Sequence, residues 1–384
     1  MPRVRGLPAS RFATTLLALG CGGCGGARTF APGGAAGLVS GGAGHTCAAG
    51  AGGVACWGAN EDGELGDGTG VNDPRPSPVP ALPDVAQLAA GSYHTCARTV
   101  AGAVFCWGWN VGGQVGDGTI ANRLSPFEVP GLPAVVDVAA GSYHSCALLA
   151  DGTARCWGQN DAGQLGSGST INSGVPLPVF SLPPSSALAA GGRHTCALVR
   201  DGSVQCWGGN DAGELGDGTT TPHVFPEPVT NLTGAVGVAA GFNHTCALGG
   251  DGTVACWGSN AYGQLGDGTT TDSPLPVAVA NVAGAVALTA GYNHTCAVTS
   301  DGAALCWGWN AGGQLGDGTT TDKPLAVAVE GLTPVSALAG GAFHTCAVTA
   351  SGAVTCWGSN DSGQLGDGST TNRSIPAPVA GLRL

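Results

Sequence analysis

The sequence predicts an all-β fold, a seven-bladed β-propeller built from seven repeats of about fifty residues, and three observations carry that prediction. The string HTCA (HSCA once), a turn, CWG and then N-x-x-G-[QE]-[LV]-G occurs seven times in 384 residues. His45, His94, His144, His194, His244, His294 and His344 recur at spacings of 49 or 50, and Trp57, Trp107, Trp157, Trp207, Trp257, Trp307 and Trp357 each follow a cysteine directly. Seventy glycines, few charges and one methionine fit short strands joined by tight turns. A residue that appears in every copy is most simply part of the unit's fold, so specificity has to be sought where the copies differ.

Ahead of the repeats, residues 1–20 read as an export signal, with Arg3, Arg5 and Arg11 as the basic start and an apolar stretch from Phe12 to Gly20. Ala18-Leu19-Gly20-Cys21 resembles a bacterial lipoprotein processing site, so Cys21 is expected to carry lipid, with an ordinary cleaved signal as the alternative. Residues 21–36 then form a Gly/Ala-rich tether, and residues 37–384 the propeller. The expected location is extracytoplasmic, either anchored to a bacterial cell envelope or secreted. Every later apolar run is broken by Gly, Pro or Asp well short of the ~20 residues that span a bilayer, so membrane attachment is expected only through the lipid.

The third repeat illustrates the unit. Val135 to Gly141 is apolar and β-branched near its start, as a buried strand should be. His144 to Leu149 leads through Asp151-Gly152 into Thr153 to Gly158, and Asp-Gly between two apolar runs signals a hairpin because glycine supplies the positive φ of such turns. Asn160, Gly163, Gly166 and Gly168 mark irregular backbone. Pro176 and Pro178 flank a last strand, which should lie at an exposed edge because proline cannot donate to a ladder. Such a unit is a propeller blade, and seven blades close without leaving a bare face. Some exchange of strands is expected where the ring closes.

Two of the sixteen cysteines, Cys21 and Cys24, precede the repeats, and each repeat holds two more. The pairs are Cys47 with Cys56, Cys96 with Cys106, Cys146 with Cys156, Cys196 with Cys206, Cys246 with Cys256, Cys296 with Cys306 and Cys346 with Cys356. A three-residue loop sets Cys146 opposite Cys156. In the first repeat the spacing is one shorter, and a two-residue Ala51-Gly52 turn restores the same opposition. Directly opposed residues lie about 4.5 Å apart, so seven disulfides within blades are expected. A zinc site made from His144, Cys146 and Cys156 is the alternative, but structural zinc takes four ligands and the repeats lack C-x-x-C knuckles. No metal and no cofactor is expected. The Gly-Asp-Gly acids Asp67, Asp117, Asp217, Asp267, Asp317 and Asp367, with Ser167 replacing one of them, read as Asx turns rather than calcium ligands.

The formal charge is −12, with Lys323 the only lysine, and an acidic surface repels phosphate backbones; nucleic acid is excluded as the expected partner. Catalysis needs an asymmetric constellation in one pocket, and the sequence offers repeated groups plus His223, which is read as isolated in a surface loop. A non-enzymatic chain is therefore expected.

The pattern Ala239-Ala240-Gly241-Phe242-Asn243-His244-Thr245-Cys246-Ala247-Leu248, then Asp251-Gly252-Thr253-Val254-Ala255-Cys256-Trp257-Gly258 and Gly263-Gln264-Leu265-Gly266, resembles the regulator of chromosome condensation repeat family over residues 37–384. The resemblance implies that family's seven-bladed propeller. It implies the activity only weakly, because the scaffold is reused. Eukaryotic members exchange guanine nucleotide on a small GTPase, but the export signal, the acidity and the paired cysteines argue against that setting. A plant ultraviolet-B photoreceptor of the family carries tryptophans before the repeat histidine, where this chain has Tyr93, Tyr143, Arg193, Asn243, Asn293 and Phe343. Exported bacterial members that clamp β-lactamases resemble it most in compartment.

Specificity is expected at Tyr93, Tyr143, Arg193, Phe242, Tyr292 and Phe343 before the histidines, and at Trp109 and Trp309 before the repeated asparagine. Aromatics and arginine on the loops of a rigid scaffold are common ingredients of a protein-binding hot spot, while packing between blades is the alternative for each. The function expected is a protein-binding scaffold, monomeric, with an unknown protein partner. Carbohydrate binding, for which Tyr262 is the one platform candidate, or an envelope enzyme is the second reading, and nucleotide exchange the third.

Overall fold

A computed structural model describes residues 38–50, 52–332 and 334–383; the signal, tether and lipidation readings, with Cys21 and Cys24, lie outside these residues. Among the described residues every element is a β-strand, and the strands form seven antiparallel sheets of four, each built from four consecutive strands. We number the blades 1 (38–78), 2 (85–128), 3 (135–178), 4 (185–228), 5 (235–278), 6 (285–328) and 7 (335–383).

In blade 3 the first strand is Val135–Ala140, the second His144–Leu149, the third Ala154–Gly158 and the outer one Ser173–Pro178, in that spatial order. The proline-bearing strand is the sheet edge, as its missing N–H groups require. First strands of neighbouring blades touch in succession and line the axis, and the first strands of blades 1 and 7 also touch, so the ring is closed. The expected strand exchange at closure does not occur among the described residues. All four strands of blade 1 come from the start of the ring and all four of blade 7 from its end. Closure rests instead on packing: Val39, Ala48 and Trp57 of blade 1 bury against Ala339, Cys346, Val354 and Leu365 of blade 7. Each sheet buries both faces on its neighbours, so an extra strand crossing from one chain end to the other is not needed to seal the ring.

The core is accordingly divided into interfaces between blades. Between blades 2 and 3, Cys96, Val104, Cys106 and Val115 meet Val138, Ala147, Leu149 and Trp157. All seven repeat tryptophans are fully buried in such interfaces. The glycine after each G-[QE]-[LV] is demanded by this packing: Gly116 has φ 79°, and a Cβ there would lie 2.7 Å from Trp157 Nε1.

Second and third strands pair with each cysteine facing its partner, Cys146 opposite Cys156 and Cys47 opposite Cys56, with Gly50 opposite Gly53 across the shorter first turn. The expected bridges are all formed. Cys47 is bonded to Cys56, Cys96 to Cys106, Cys146 to Cys156 and Cys196 to Cys206 in blades 1 to 4. Cys246 is bonded to Cys256, Cys296 to Cys306 and Cys346 to Cys356 in blades 5 to 7. Their Cα separations of 4.0–4.1 Å are slightly tighter than the spacing expected from the ladder. With Cys146 and Cys156 joined to each other, the alternative zinc trio with His144 has no thiolate to offer.

Candidate functional site

Two sets of groups divide the molecule: a buried belt that repeats seven times, and one end of the ring where the repeats diverge. In the belt, the Nε2 atom of each repeat histidine lies 2.7–3.0 Å from the hydroxyl of the Thr or Ser in the next blade, from His45 to Thr95 around to His344 and Thr46. That hydroxyl donates to the backbone carbonyl of the Gln or Glu in G-[QE]-[LV]. The same carbonyl accepts the repeat tryptophan's Nε1–H at 2.8–2.9 Å.

Because the hydroxyl's one proton is spent on the carbonyl, it accepts from histidine, which assigns the proton to Nε2 and leaves Nδ1 a bare acceptor. Among the described residues no donor reaches any of the seven Nδ1 atoms, which fits that assignment. Complete burial lowers the histidines to a pKa of about 3 or 4, so they are neutral. The imidazoles and the bridged sulfurs are thus committed to the fold.

The Gly-Asp-Gly acids form the expected Asx turns, with Thr119 N–H donating to Asp117 Oδ1 at 2.9 Å. Four of them also take a partner six residues on, beyond the expected turn: Arg123 on Asp117, His223 on Asp217, Lys323 on Asp317 and Arg373 on Asp367. His223 is therefore not an isolated loop residue. It begins the outer strand of blade 4, and its Nε2 lies 2.9 Å from Asp217 Oδ2. Partial burial pushes Asp117 the other way, but hydrogen bonds from Thr119 and Arg123 hold its carboxyl below the usual range. The pattern was present in the sequence as Arg123, His223, Lys323 and Arg373 in one repeat position.

A second asymmetry lies inside the blade 2–3 interface. Asp137, 1% exposed, accepts from Gln87 Nε2 at 2.7 Å and from Leu188 N–H at 2.9 Å, and Gln87 also accepts from Arg98. The first strand of blade 3 is thus not uniformly apolar. Gln87 and Asp137 stand where later blades have Ala or Gly, and Arg98 where they have Leu or Val. The network ties three blades together.

In an antiparallel sheet of consecutive strands, the loops between the first and second and between the third and outer strands open at the same end. All eight residues expected to carry specificity sit in those loops, and the structure gathers them into two aromatic clusters and one ion pair. Tyr93, Trp109 and Tyr143 of blades 2 and 3 lie with ring centres 5.7–6.2 Å apart. Phe242, Tyr292, Phe343 and Trp309 of blades 5 to 7 form a chain at 4.6–5.5 Å, which Tyr262 extends. Arg193 of blade 4 reaches Asp161 of blade 3.

The exception to outward presentation is Tyr292, whose hydroxyl crosses the axis to Ser92 Oγ at 2.5 Å and closes the channel mouth; burial pushes it up to about 12. Successive loops are joined by backbone hydrogen bonds, among them Phe242 N–H to Tyr292 O, Tyr292 N–H to Ala342 O and Ala342 N–H to Gly42 O, so the face is preorganised.

Between the two clusters, over blades 7 and 1, the face opens into a cleft of about 450 Å³. Trp309 and Phe343 line it on one side and Tyr93 on the other, with Glu61, Asp62, Glu64 and Asp361 in its wall. Burial pushes Glu64 up to about 7, and its charged neighbours Asp62 and Glu61 push the same way. Nothing local in the sequence marks these acids, because Glu64 sits in the [QE] position of the repeat.

The RCC1-like domain family matches residues 34–247 and 136–383. No curated protein matches the chain. Among solved structures it is similar to Prp20p from Saccharomyces cerevisiae, studied for its binding to Gsp1p and histones, with 26% identity over 85% of each chain and a TM-score of 0.76. Human WBSCR16 is similar in fold, with 22% identity over 84% of this chain and 92% of that one and a TM-score of 0.76. So is the ectodomain of the Physcomitrella patens receptor kinase CR4, at 22% identity over 87% and 74% and a TM-score of 0.55.

Proposed function

We propose that this chain, which belongs to the RCC1-like domain family, is a non-enzymatic propeller that binds a protein partner through the end of the ring bearing the aromatic loops. The observation that carries the reading is the segregation of identity from difference. The buried belt is the same in every blade, while Tyr93, Trp109, Tyr143, Phe343 and Trp309 are partly exposed on one preorganised face. Rigid aromatic rings around a cleft offer large contact area at little entropic cost. Binding to Gsp1p and histones by Prp20p is a precedent for protein recognition on this scaffold.

Seven disulfides favour an oxidising, extracytoplasmic compartment, and from the sequence Ala18-Leu19-Gly20-Cys21 we infer Cys21 as the lipid attachment point. The test is a pull-down from native cell envelope with the oxidised full-length protein beside a double variant carrying Trp109→Ala and Trp309→Ala. A protein retained by the parent and lost by a variant with a near-native melting curve supports the reading; a protein retained equally by both refutes the face. A second reading, carbohydrate binding, is favoured by rings beside carboxylates in the cleft. A glycan array probed with the same pair decides it.

A further inference from the structure

The seven repeats allow the cleft to be compared with the same place in another blade. In blade 4, Arg193 stands directly before the histidine, reaches Asp161 of the preceding blade, and lies close enough to Glu214 of its own blade to favour that carboxylate's charged form. Blade 1 and the blade before it in the ring, blade 7, carry both acids again. Asp361 is the equivalent of Asp161 in the preceding blade, and Glu64 is the equivalent of Glu214. The residue in the place of Arg193 is Gly44, and Gly44, Glu64 and Asp361 all line the cleft.

Two further observations show that the place is unfilled. Glu64 is 3% exposed and, like Glu214, takes backbone N–H donors two residues before it and its own, but its charged neighbours are the acids Asp62 and Glu61 where Glu214 has Arg193. Asp361 is exposed and takes part in none of the ion pairs among the described residues. The cleft thus holds Asp361, the counterpart of the carboxylate that Arg193 pairs with, beside a buried Glu64 that lacks the nearby arginine Glu214 has, and a buried carboxylate without a cation is costly to ionise.

We propose that the cleft between blades 7 and 1 is a binding site for an arginine side chain presented by the partner. The inference rests on the reading of this face as the binding face and gives that partner its chemistry. The guanidinium takes the position of Arg193, donating to Asp361 and Glu64, while Tyr93, Trp309 and Phe343 flank it with ring faces and edges suited to a planar cation. The net charge of −12 draws a basic segment to the ring. Lysine fits less well, since a point charge does not use two separated acceptors as a fork does.

The test is calorimetric titration of the oxidised full-length protein with acetyl-tetra-arginine amide. One saturable site per chain is expected, with a weaker tetra-lysine response. Gly44→Arg fills the place from within and Glu64→Gln restores the residue most other blades carry, so both variants should fold and both should weaken binding at least about tenfold, the worth of one charge-assisted hydrogen bond. A variant carrying both Asp151→Asn and Asp201→Asn, altered in the hairpins at the opposite end, loses at least as much charge and should bind as the parent does.

No saturable binding, or equal weakening by the distant pair, overturns the proposal. Peptide binding that fails while envelope capture still depends on Trp109 and Trp309 rejects the arginine site and leaves the binding face standing. Peptide binding blocked by Gly44→Arg, with no protein captured, does the reverse.

Discussion

The belt and the open face are made by the same repeats a few residues apart, and they obey opposite rules. In the belt every blade repeats the same Trp and His, with Thr or once Ser between them, and each histidine has its partner in the next blade, so a change in one blade is felt by two. On the face, adjacent blades place Gly44, Tyr93, Tyr143 and Arg193 at one position, each free to differ because the loop backbone is held by its own bonds. Uniformity marks what the ring needs to close. Variety marks what it presents.

The broadest way to break the comparison is acid, which strikes the whole belt and little of the face. Each repeat histidine has a folded pKa of about 3 or 4 against 6.5 when solvated. Above pH 6.5 both states are neutral and stability is complete. Between 6.5 and about 4 the unfolded chain gains protons that the folded ring refuses, so stability falls as pH falls, by about 1.4 kcal/mol per histidine per pH unit. Seven such groups rival the ~5–15 kcal/mol of an ordinary domain within one or two pH units.

Glu64, raised to about 7 from 4.5, acts in the other sense and loses stability as pH rises through that window, but it is one group against seven. Denaturation midpoints measured from pH 7 to pH 4.5 should drop with a slope approaching seven protons. A flat profile would mean that the histidines are charged or exposed, contrary to the belt.

Single substitutions sharpen the same contrast. Trp207→Ala removes a fully buried ring and its bond to Gln164 O, and should cost about 3–5 kcal/mol in denaturant titration. Trp109→Ala, which loses a partly exposed ring and its edge contacts with Tyr93 and Tyr143, should cost about 1 kcal/mol. Equal losses would erase the distinction between belt and face and turn the aromatic loops into core.

What the sequence disclosed follows the same division. The hairpins, the proline edge and the disulfide register were legible because they depend on neighbours within about ten residues, such as Asp151-Gly152 between two apolar runs. The belt was legible only as structural, since a bond from His144 to Thr195 spans 51 residues and no local pattern announces it. The closure expectation failed because exchange and simple packing leave the same repeat in the sequence. Arg193 was singled out, but its pairing with Asp161 and the matching empty place at Gly44 appear only when blades are laid side by side in space. His223 was misjudged for the opposite reason: its partner was six residues away, and three other blades already displayed the pair.

The smallest change in stability tests the comparison most finely. Arg193→Ala removes an ion pair whose side chains are 40% and 47% exposed, so the melting curve should shift by less than about 1 kcal/mol. Yet the variant empties in blade 4 the place that Gly44 leaves empty in blade 1, with Asp161 and Glu214 left as acceptors. If the acid pair is what receives a guanidinium, titration with acetyl-tetra-arginine amide should change from one site to two. The second should be weaker, because Trp109 and Tyr143 hold the places of Trp309 and Phe343 beside Arg193 but Asn243 stands in the place of Tyr93. A stoichiometry that stays at one would show that the acid pair and the rings on one side do not make a site without Tyr93 on the other.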